Sequence, residues 1–429
     1  MQKIACVFSF KESSWVSCQK IVFNLHKSYQ ACPNTKLENF NLSHDPFTSE
    51  QLEQLAKSIY EYSPNVISIM DHNPHPLGLI QKLSKLYQGQ QKPKIIFHIF
   101  GDFTIYYNQW EKLGLLLEGF STEFLVASDR QKILVDKMLQ KNQCVVCPFP
   151  VEKSEFYPDA NNRELQRKKW KISKDDVAFI FTGRLSRQKK IKSLITSFVQ
   201  ELHSESNAHL FIYGAQDNIG DPFTGIYDIE GEYFRSFYKT YKQFPLAIQE
   251  RIHFMGPVPN AELLSAYQGA DVFMNLSVHN DEDYGMSVAE AQFTGLPIGL
   301  TDWGGLASFY NPEIPESTSF IPVRIGKRFK QISLTGVRRV FRQYMNNPMR
   351  DMRELIAEGA QKRFSVNHVS SIITKVLSKD SSEFAGFTEL FFRASNASLI
   401  STTDPMYLNK MGHLNNLYRD IYSAYVRND

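Results

Sequence analysis

The sequence predicts an α/β protein built of two doubly wound domains, and three observations carry the prediction. The chain has 429 residues, more than one ordinary hydrophobic core organises. Short continuous apolar runs alternate with amphipathic stretches in both halves, as they do in a parallel sheet covered by helices on both faces. Between the two series, residues 148–160 carry Pro148, Pro150 and Pro158, the composition of a linker. The expected division is a first domain over 1–150, a linker over 151–160, a second domain over 161–350, and a helical region with an aromatic tail over 351–429.

In the first domain Ile4–Ser9, Val66–Met70, Ile95–Phe100, Phe124–Ala127 and Gln143–Cys147 read as strands. Val16–Tyr29, Ser49–Tyr62, Pro76–Tyr87 and Arg130–Lys141 read as helices between them. Ligands of such sheets bind beyond the carboxyl ends of the strands, so the loops after Ser9, Met70, Phe100 and Ala127 are the informative ones. The first contains Lys11, Ser13 and Ser14 and no glycine; either serine can cap the next helix while offering backbone amides. The second is a polar cluster, Asp71-His72-Asn73-Pro74-His75, suited to meeting an acceptor molecule. The third follows His98 and includes Asp102, and the fourth begins at Ser128 with Arg130 behind it.

The second domain opens with helix Asn162–Trp170, strand Val177–Phe181 and helix Ile191–Leu202. Strand His209–Tyr213 leads into a long connection over 215–250 with an aromatic helix around Tyr233–Tyr241, a length that often marks function or a partner surface. A strand from Ile252 and a loop through Val258 follow, and Asn260 is expected to cap helix Ala261–Tyr267. Strand Val272–Asn275, helix Ser287–Phe293, strand Pro297–Leu300 and a turn at Gly304-Gly305 complete the domain. Helices Met352–Phe364 and Val366–Lys379 come next. Beyond them Phe384, Phe387, Phe391, Phe392, Tyr407, Tyr418, Tyr422 and Tyr425 recur at roughly helical spacing, as core or as oligomer contacts.

Two stretches of the second domain carry chemistry. In Asn280-Asp281-Glu282-Asp283-Tyr284-Gly285-Met286-Ser287-Val288-Ala289-Glu290, one glutamate lies in a loop and the other in a helix, seven residues between them. Gly285 marks a sharp bend, Ser287 is the expected N-cap, and the amides from Met286 onward face the loop as an anion site. Two carboxylates around such a helix end suit a ligand that joins hydroxyl groups to a phosphate. In the other stretch, Gly183-Arg184-Leu185-Ser186-Arg187-Gln188-Lys189, a strand turns into a helix. There Arg184 and Lys189 can converge on one diphosphate and neutralise it as it departs.

The pattern E-x7-E with Tyr284-Gly285 inside, followed by Ala291 to Gly295-Leu296-Pro297 and then Thr301-Asp302-Trp303-Gly304-Gly305, resembles the donor-site signature of retaining glycosyltransferases of the GT-B fold. These are the glycogen-synthase-like group 1 enzymes known as family 4, and G-R-L-x-x-x-K at 183–189 resembles their second signature. The resemblance covers roughly residues 1–378, with its strong motifs in the second half. It implies two Rossmann-like domains facing across a cleft, with the helices after 351 crossing back onto the first domain. It implies transfer of a hexose-type sugar from a UDP- or GDP-linked donor, without cofactor or metal ion, to a glycan, lipid-linked or protein acceptor. By resemblance Arg184, Lys189 and Glu282 are catalytic, with His98 as a supporting group near the transferred sugar; a packed core histidine reads equally well. Glu290, Gly285, Met286, Ser287, Val258 and Gly183 are the donor-binding set, and Asp102, Ser13, Ser14, His72 and Ser128 are cleft or acceptor candidates. The chain departs from the family in its glycine-free first loop, in Val151, and in Lys190 where a glycine is frequent.

Composition narrows the partners. Lys and Arg number 48 against 45 Asp and Glu, so nothing demands nucleic acid. No apolar run approaches the roughly 20 residues of a membrane span, and the first residues read as a strand, not a signal peptide. Five cysteines, including Cys144 and Cys147, fit free thiols in a reducing compartment, hence a cytoplasmic protein. Peripheral membrane contact through basic helices around Arg338, Arg339 and Arg342 is a further expectation, as is an oligomer or partner subunit docking on the aromatic tail. Two rivals remain: a phosphorylase or epimerase on the same fold, and a catalytically silent homologue that binds glycan or stabilises a partner.

Overall fold

The structure is a computed structural model of the chain and describes residues 1–10, 16–42, 47–70, 76–141, 143–202, 207–216, 231–326, 330–380, 382–400 and 415–426. It divides into two compact units: Met1–Pro150 with Phe364–Pro405, and Val151–Arg363 with Met406–Asp429.

The first unit alternates β1 (Gln2–Phe8), α1 (Val16–Gln30), β2 (Thr35–Asn41), α2 (Ser49–Tyr62), β3 (Val66–Ile69), α3 (Pro76–Leu86) and β4 (Lys94–His98). It continues with α4 (Tyr107–Leu116), β5 (Thr122–Val126), α5 (Asp129–Met138) and β6 (Cys144–Val146). The strands form a six-stranded sheet in the order β2-β1-β3-β4-β5-β6, and every pairing is parallel. β3 and β5 are buried at every residue; the apolar part of β5 was recognised from Phe124 on, whereas its buried Thr122 and Glu123 gave no apolar signal. β2 was not anticipated. It is an edge strand of mostly polar, half-exposed residues, TKLENFN, and offers no apolar run to recognise. Cys144 and Cys147 are both buried, and burial raises both thiols far above their usual range, so neither is poised to react.

The second unit runs α6 (Ala160–Trp170), β7 (Val177–Thr182), α7 (Ile191–Glu201), β8 (Ala208–Tyr213), α8 (Glu232–Lys242), α9 (Leu246–Gln249) and β9 (Ile252–Gly256). Next come α10 (Asn260–Gly269), β10 (Val272–Asn275), α11 (Met286–Phe293), β11 (Ile298–Thr301) and β12 (Thr318–Ile321). A hairpin of β13 (Val323–Ile325) and β14 (Lys330–Ile332) precedes α12 (Leu334–Asn346) and α13 (Arg353–Phe364). The sheet order is β12-β11-β10-β7-β8-β9, again parallel throughout. In its core Phe179, Phe198 and Phe341 meet edge to face, with centroids 4.9–6.1 Å apart. Each fully buried ring of this kind contributes about 1.5–3 kcal/mol.

A buried carboxylate ties this unit together. Asp271 Oδ1 accepts from Arg163 at 2.6 Å and Arg350 at 2.8 Å, while Oδ2 accepts from Arg167 at 3.1 Å and the Ala178 amide at 2.8 Å. Arg353 completes the group, donating to the carbonyls of Ala270 at 2.7 Å and Thr294 at 3.0 Å, which a helix end would otherwise leave open. On α12, Arg338 and Arg342 both pair with the buried Glu201, at 2.6 and 2.9 Å. That pairing gives Arg338 and Arg342 an interior partner, while Arg339 is exposed.

Two helix starts differ from expectation. Asn260 is the first residue of α10 and Pro259 its N-cap, with no side-chain cap bond. Gly285, not Ser287, is the N-cap of α11.

The chain then returns to the first unit at Phe364, later than the expected 351, with α14 (Val366–Ser378) and α15 (Glu389–Ile400). Phe387 and Phe391 are buried there, stacked at 3.9 Å, whereas Phe392 is 42% exposed. The final helix, α16 (Asn415–Tyr422), belongs to the second unit, which corrects the expectation that the whole tail packs on the first. Tyr418, Tyr422 and Tyr425 are buried in it as core residues, and Tyr407 lies outside the described residues.

Candidate active site

The site in the second unit starts from two glycines that bring strand ends together. Gly183 after β7 and Gly214 after β8 have φ of 147° and 140°, and a Cβ on Gly214 would stand 1.8 Å from the Gly183 carbonyl oxygen. Only a residue without a side chain allows that approach. The chain then turns through a short 3-10 segment, Arg187–Lys189, and Lys190 adopts a left-handed φ of 56°. A lysine there costs on the order of 1 kcal/mol, so the glycine-like geometry survives the loss of the glycine.

That turn aims Lys189 at the glutamate loop. Its ammonium lies 2.5 Å from Glu282 Oε2, a pair with 17% and 8% of the side chains exposed. The Val278 amide donates to the Gln188 carbonyl at 3.2 Å, so the two segments are also joined by backbone. Arg184 is half-buried on the same turn.

The loop from Ser277 to Gly285 is held at nearly every residue. The Glu282 amide donates to the His279 carbonyl at 3.2 Å, and the Trp303 indole donates to the same oxygen at 2.6 Å. The Gly305 amide donates to the Glu282 carbonyl at 2.8 Å. Gly304 and Gly305 have to be glycines, because a Cβ would meet Glu282 O at 2.4 Å in one case and Asp283 O at 1.9 Å in the other. Asn280 is fully buried, and its side-chain oxygen accepts from Lys330 Nζ at 2.8 Å and from the Tyr418 hydroxyl at 2.6 Å.

From Gly285, with φ of 122°, the chain enters α11, whose first amides at Met286 and Ser287 have no acceptor within the helix. Glu290 on the same helix is 7% exposed; its Oε2 accepts from the Tyr267 hydroxyl at 3.4 Å, and Tyr267 also bonds Thr182 at 2.7 Å. Burial pushes the Tyr267 hydroxyl well above its usual range, and the Glu290 carboxylate adds to the effect, so the phenol stays protonated. His279 sits beneath the loop, 5% exposed. Burial drives its imidazole well below the usual value, and the charges of Lys330, Lys189 and Arg184 act in the same direction. It is a neutral group among three cations. Val258 lies in the loop after β9, half-buried.

Arg184, Lys189, Glu282, Gly285, Met286, Ser287, Glu290 and Gly183 therefore lie along segments that touch one another or belong to one loop and helix. The cations and helix amides suit a group with two or more negative charges, and the carboxylates suit hydroxyl donors. His279, Asn280, Lys330, Tyr267 and Tyr418 were missed by sequence reasoning. Asn280 at least stood at the head of the recognised stretch, whereas Lys330 and Tyr418 lie outside any motif.

The remaining candidates belong to the first unit. His98 is 4% exposed at the end of β4, its Nε2 2.9 Å from the Tyr29 hydroxyl, which also accepts from Ser68 at 2.8 Å. Burial lowers its pKa to about 3. This is the packed-histidine arrangement. Asp102 caps a 3-10 turn by accepting from the Thr104 amide at 3.0 Å, and Ser128 caps α5 by accepting from the Gln131 amide at 3.2 Å. Gln131 links them, donating to the Gly101 carbonyl at 2.8 Å. Ser13, Ser14 and His72 lie outside the described residues. Among the described residues no cluster of His, Cys, Asp or Glu is arranged to hold a metal ion.

Residues 162–315, within the second unit, match the family described as Glycosyl transferases group 1. The chain is 26% identical over 196 residues to an uncharacterised glycosyltransferase of Methanocaldococcus jannaschii, covering 43% of this chain and 45% of that protein. It is 25% identical over 242 residues to the mannosylfructose-phosphate synthase of Agrobacterium fabrum, covering 55% of this chain and 48% of that one. It thus spans less than half the length of either curated relative. Among solved structures, Anabaena HepE in complex with UDP and glucose superposes with a TM-score of 0.63 at 13% identity, over 88% of this chain and 100% of that one. The sucrose-phosphate synthase of Thermosynechococcus elongatus superposes with a TM-score of 0.58 at 15% identity, over 88% and 98%. The fold is that of the GT-B glycosyltransferases.

Proposed function

We propose that the protein is a retaining, family 4 glycosyltransferase that moves a hexose-type sugar from a nucleoside diphosphate sugar to a glycan, lipid-linked or protein hydroxyl. The observation that carries this reading is the Lys189–Glu282 ion pair beside the amino end of α11, with Glu290 on the same helix. The group 1 domain over 162–315 supports it, and so does the UDP and glucose bound by the Anabaena neighbour.

In this reading Arg184, Lys189 and the Met286 and Ser287 amides take the diphosphate. Glu290 accepts hydrogen bonds from the ribose and Glu282 from the sugar, while the backbone at Gly183 and Val258 flanks the nucleotide. Lys189 has three N–H donors, enough to keep Glu282 in place while also reaching a phosphate oxygen. As the bond from sugar to diphosphate lengthens, charge grows on the departing oxygen and each of these contacts strengthens. The acceptor hydroxyl attacks on the face the diphosphate is leaving and gives its proton to a phosphate oxygen. No pair of side-chain carboxylates has to do acid–base work, unlike in glycosidases. The side-chain cations and helix amides supply the charge that a metal ion would otherwise bring, so the reaction is metal-independent. No helix among the described residues is long and apolar enough to cross a membrane. A cytoplasmic location, with peripheral membrane contact for a lipid-linked acceptor, completes the proposal.

Calorimetry with UDP, GDP and ADP in the presence of EDTA tests it. One nucleotide should bind, and Glu290→Ala and Arg184→Ala should each weaken it by roughly 10- to 100-fold, the loss of a hydrogen bond to a charged group. A folded protein that binds none of the three nucleotides refutes the reading.

A further inference from the structure

We infer that Lys330 and Tyr418, from a hairpin and a tail helix beyond the family-matched segment, are positioning residues that set Glu282 for the donor sugar. The inference rests on the donor-site reading given above and adds two residues, Lys330 and Tyr418, that lie outside the motifs supporting that reading.

Asn280 is the point of attachment. It is fully buried two residues before Glu282, and one side-chain oxygen receives both the Lys330 ammonium, at 2.8 Å, and the Tyr418 hydroxyl, at 2.6 Å. Lys330 is itself only 6% exposed and lies over two aromatic faces, Trp303 at 5.0 Å and Tyr418 at 5.9 Å from the ring centroids. The amide oxygen and the two ring quadrupoles each attract the ammonium and help fix its place. Trp303 in turn donates to the His279 carbonyl, and Tyr425 packs edge-on against Trp303 at 5.5 Å, where it would crowd a Cβ on Gly304. The glutamate loop is therefore gripped on both flanks. Lys189 holds the Glu282 carboxylate, and the Lys330–Tyr418–Trp303 group holds the backbone that carries it.

The family match ends at residue 315, so neither Lys330 nor α16 lies within it. Tyr418 and Asn280 are 138 residues apart in sequence. A contact spanning that distance costs closure entropy, and here it ends on the loop that carries Glu282. The consequence is a division of labour. The nucleotide half of the donor is held by Glu290, Arg184, the α11 amides and Lys189; Lys189 also holds Glu282, but its three N–H donors let it keep a phosphate oxygen when Glu282 shifts. The sugar half depends on Glu282, and therefore on Lys330 and Tyr418.

The test uses the full chain and a panel of UDP-glucose, UDP-N-acetylglucosamine, GDP-mannose and ADP-glucose. Bare nucleotide affinity is read by calorimetry and turnover by release of nucleoside diphosphate. Tyr418→Phe, which removes one oxygen, should bind the bare nucleotide within about twofold of wild type while turnover falls on the order of 10²-fold, the usual result of a small misplacement. Lys330→Met should do the same, and Lys330→Arg, which keeps the cation and its donors, should recover part of the rate. Because both residues act through Glu282, Tyr418→Phe combined with Glu282→Gln should be no slower than Glu282→Gln alone. Additive losses, equal losses of nucleotide affinity and rate, or unchanged turnover in Tyr418→Phe would each overturn the inference. Wild type that binds no nucleotide overturns the donor-site reading and this inference with it; wild-type binding with unaltered variants overturns the inference alone. If Lys330→Met fails to fold, Tyr418→Phe decides the matter.

Discussion

Gly305→Ala offers the sharpest test of the site as a rigid constellation. Gly305 does not need a left-handed backbone, so the substitution acts by sterics alone. The added Cβ would stand 1.9 Å from the Asp283 carbonyl oxygen, 2.1 Å from its carbon and 2.4 Å from the Tyr284 nitrogen. Ordinary contact begins at 3.4 Å, so the loop backbone must recede by about 1.5 Å, taking Glu282 with it. No flexible side chain is available to absorb the shift, and the Gly305 N–H to Glu282 carbonyl bond of 2.8 Å is lost in the process. A displacement of that size at a reacting centre costs on the order of 10²-fold in rate. Gly89→Ala is the control: its φ is 73° and nothing lies within 4 Å, so it carries the backbone penalty, about 1 kcal/mol, without a clash. Nucleotide-sugar turnover and thermal midpoints of both variants should be measured side by side. Gly305→Ala with wild-type turnover would refute the idea that the Gly304–Gly305 turn seats the glutamate loop.

Other outcomes follow from the buried charges. Asp271→Ala strands three arginines around an empty centre and should destabilise the second unit by about 3–5 kcal/mol, read by denaturant unfolding. Burial alone would raise the Asp271 carboxyl, but Arg163, Arg350 and Arg167 pull it below its ordinary 3.8. Its contribution should therefore be complete above that value and vanish as pH falls through the lower, folded value, leaving Asp271→Asn with a flatter acid limb than wild type. For His98 the depressed value of about 3, against 6.5 unfolded, means the unfolded chain binds the extra proton between the two. Stability of the first unit should be at its full value above pH 6.5 and decline as pH falls toward 3, and His98→Gln should flatten that slope in urea melts. A slope unchanged by the substitution would show that other groups govern it.

The sheet interiors were legible because burial on both faces writes them as apolar runs: Val66–Ile69, Val177–Thr182 and Val272–Asn275 each appeared within a residue or two of their observed limits. The edges were not, since β2 has one neighbour and needs no apolar side chains on its outer half. Glu282, Glu290, Arg184 and Lys189 could be singled out because they stand at fixed offsets from glycines, and the structure sets Lys189 against Glu282. The contact of Asn280 with Lys330 and Tyr418 was not legible for the converse reason: the partners are far apart in sequence, and no local pattern records a contact that only the completed fold creates. The helix starts at Gly285 and Pro259 show a related limit. Ser287 and Asn260 have the right chemistry to cap, but the backbone turns one or two residues earlier.

The path of the chain has a bearing on how the protein is made. It passes from one unit to the other at Pro150–Val151, again at Arg363–Phe364 and once more at Pro405–Met406. A ribosome that has delivered the first 150 residues has delivered a sheet without α14 and α15, and one that has delivered residue 363 has delivered a second sheet without α16. Neither unit closes in the order in which it emerges. Both should linger as open intermediates during translation, the first until α14 and α15 emerge and the second until α16 reaches a loop laid down 138 residues before it.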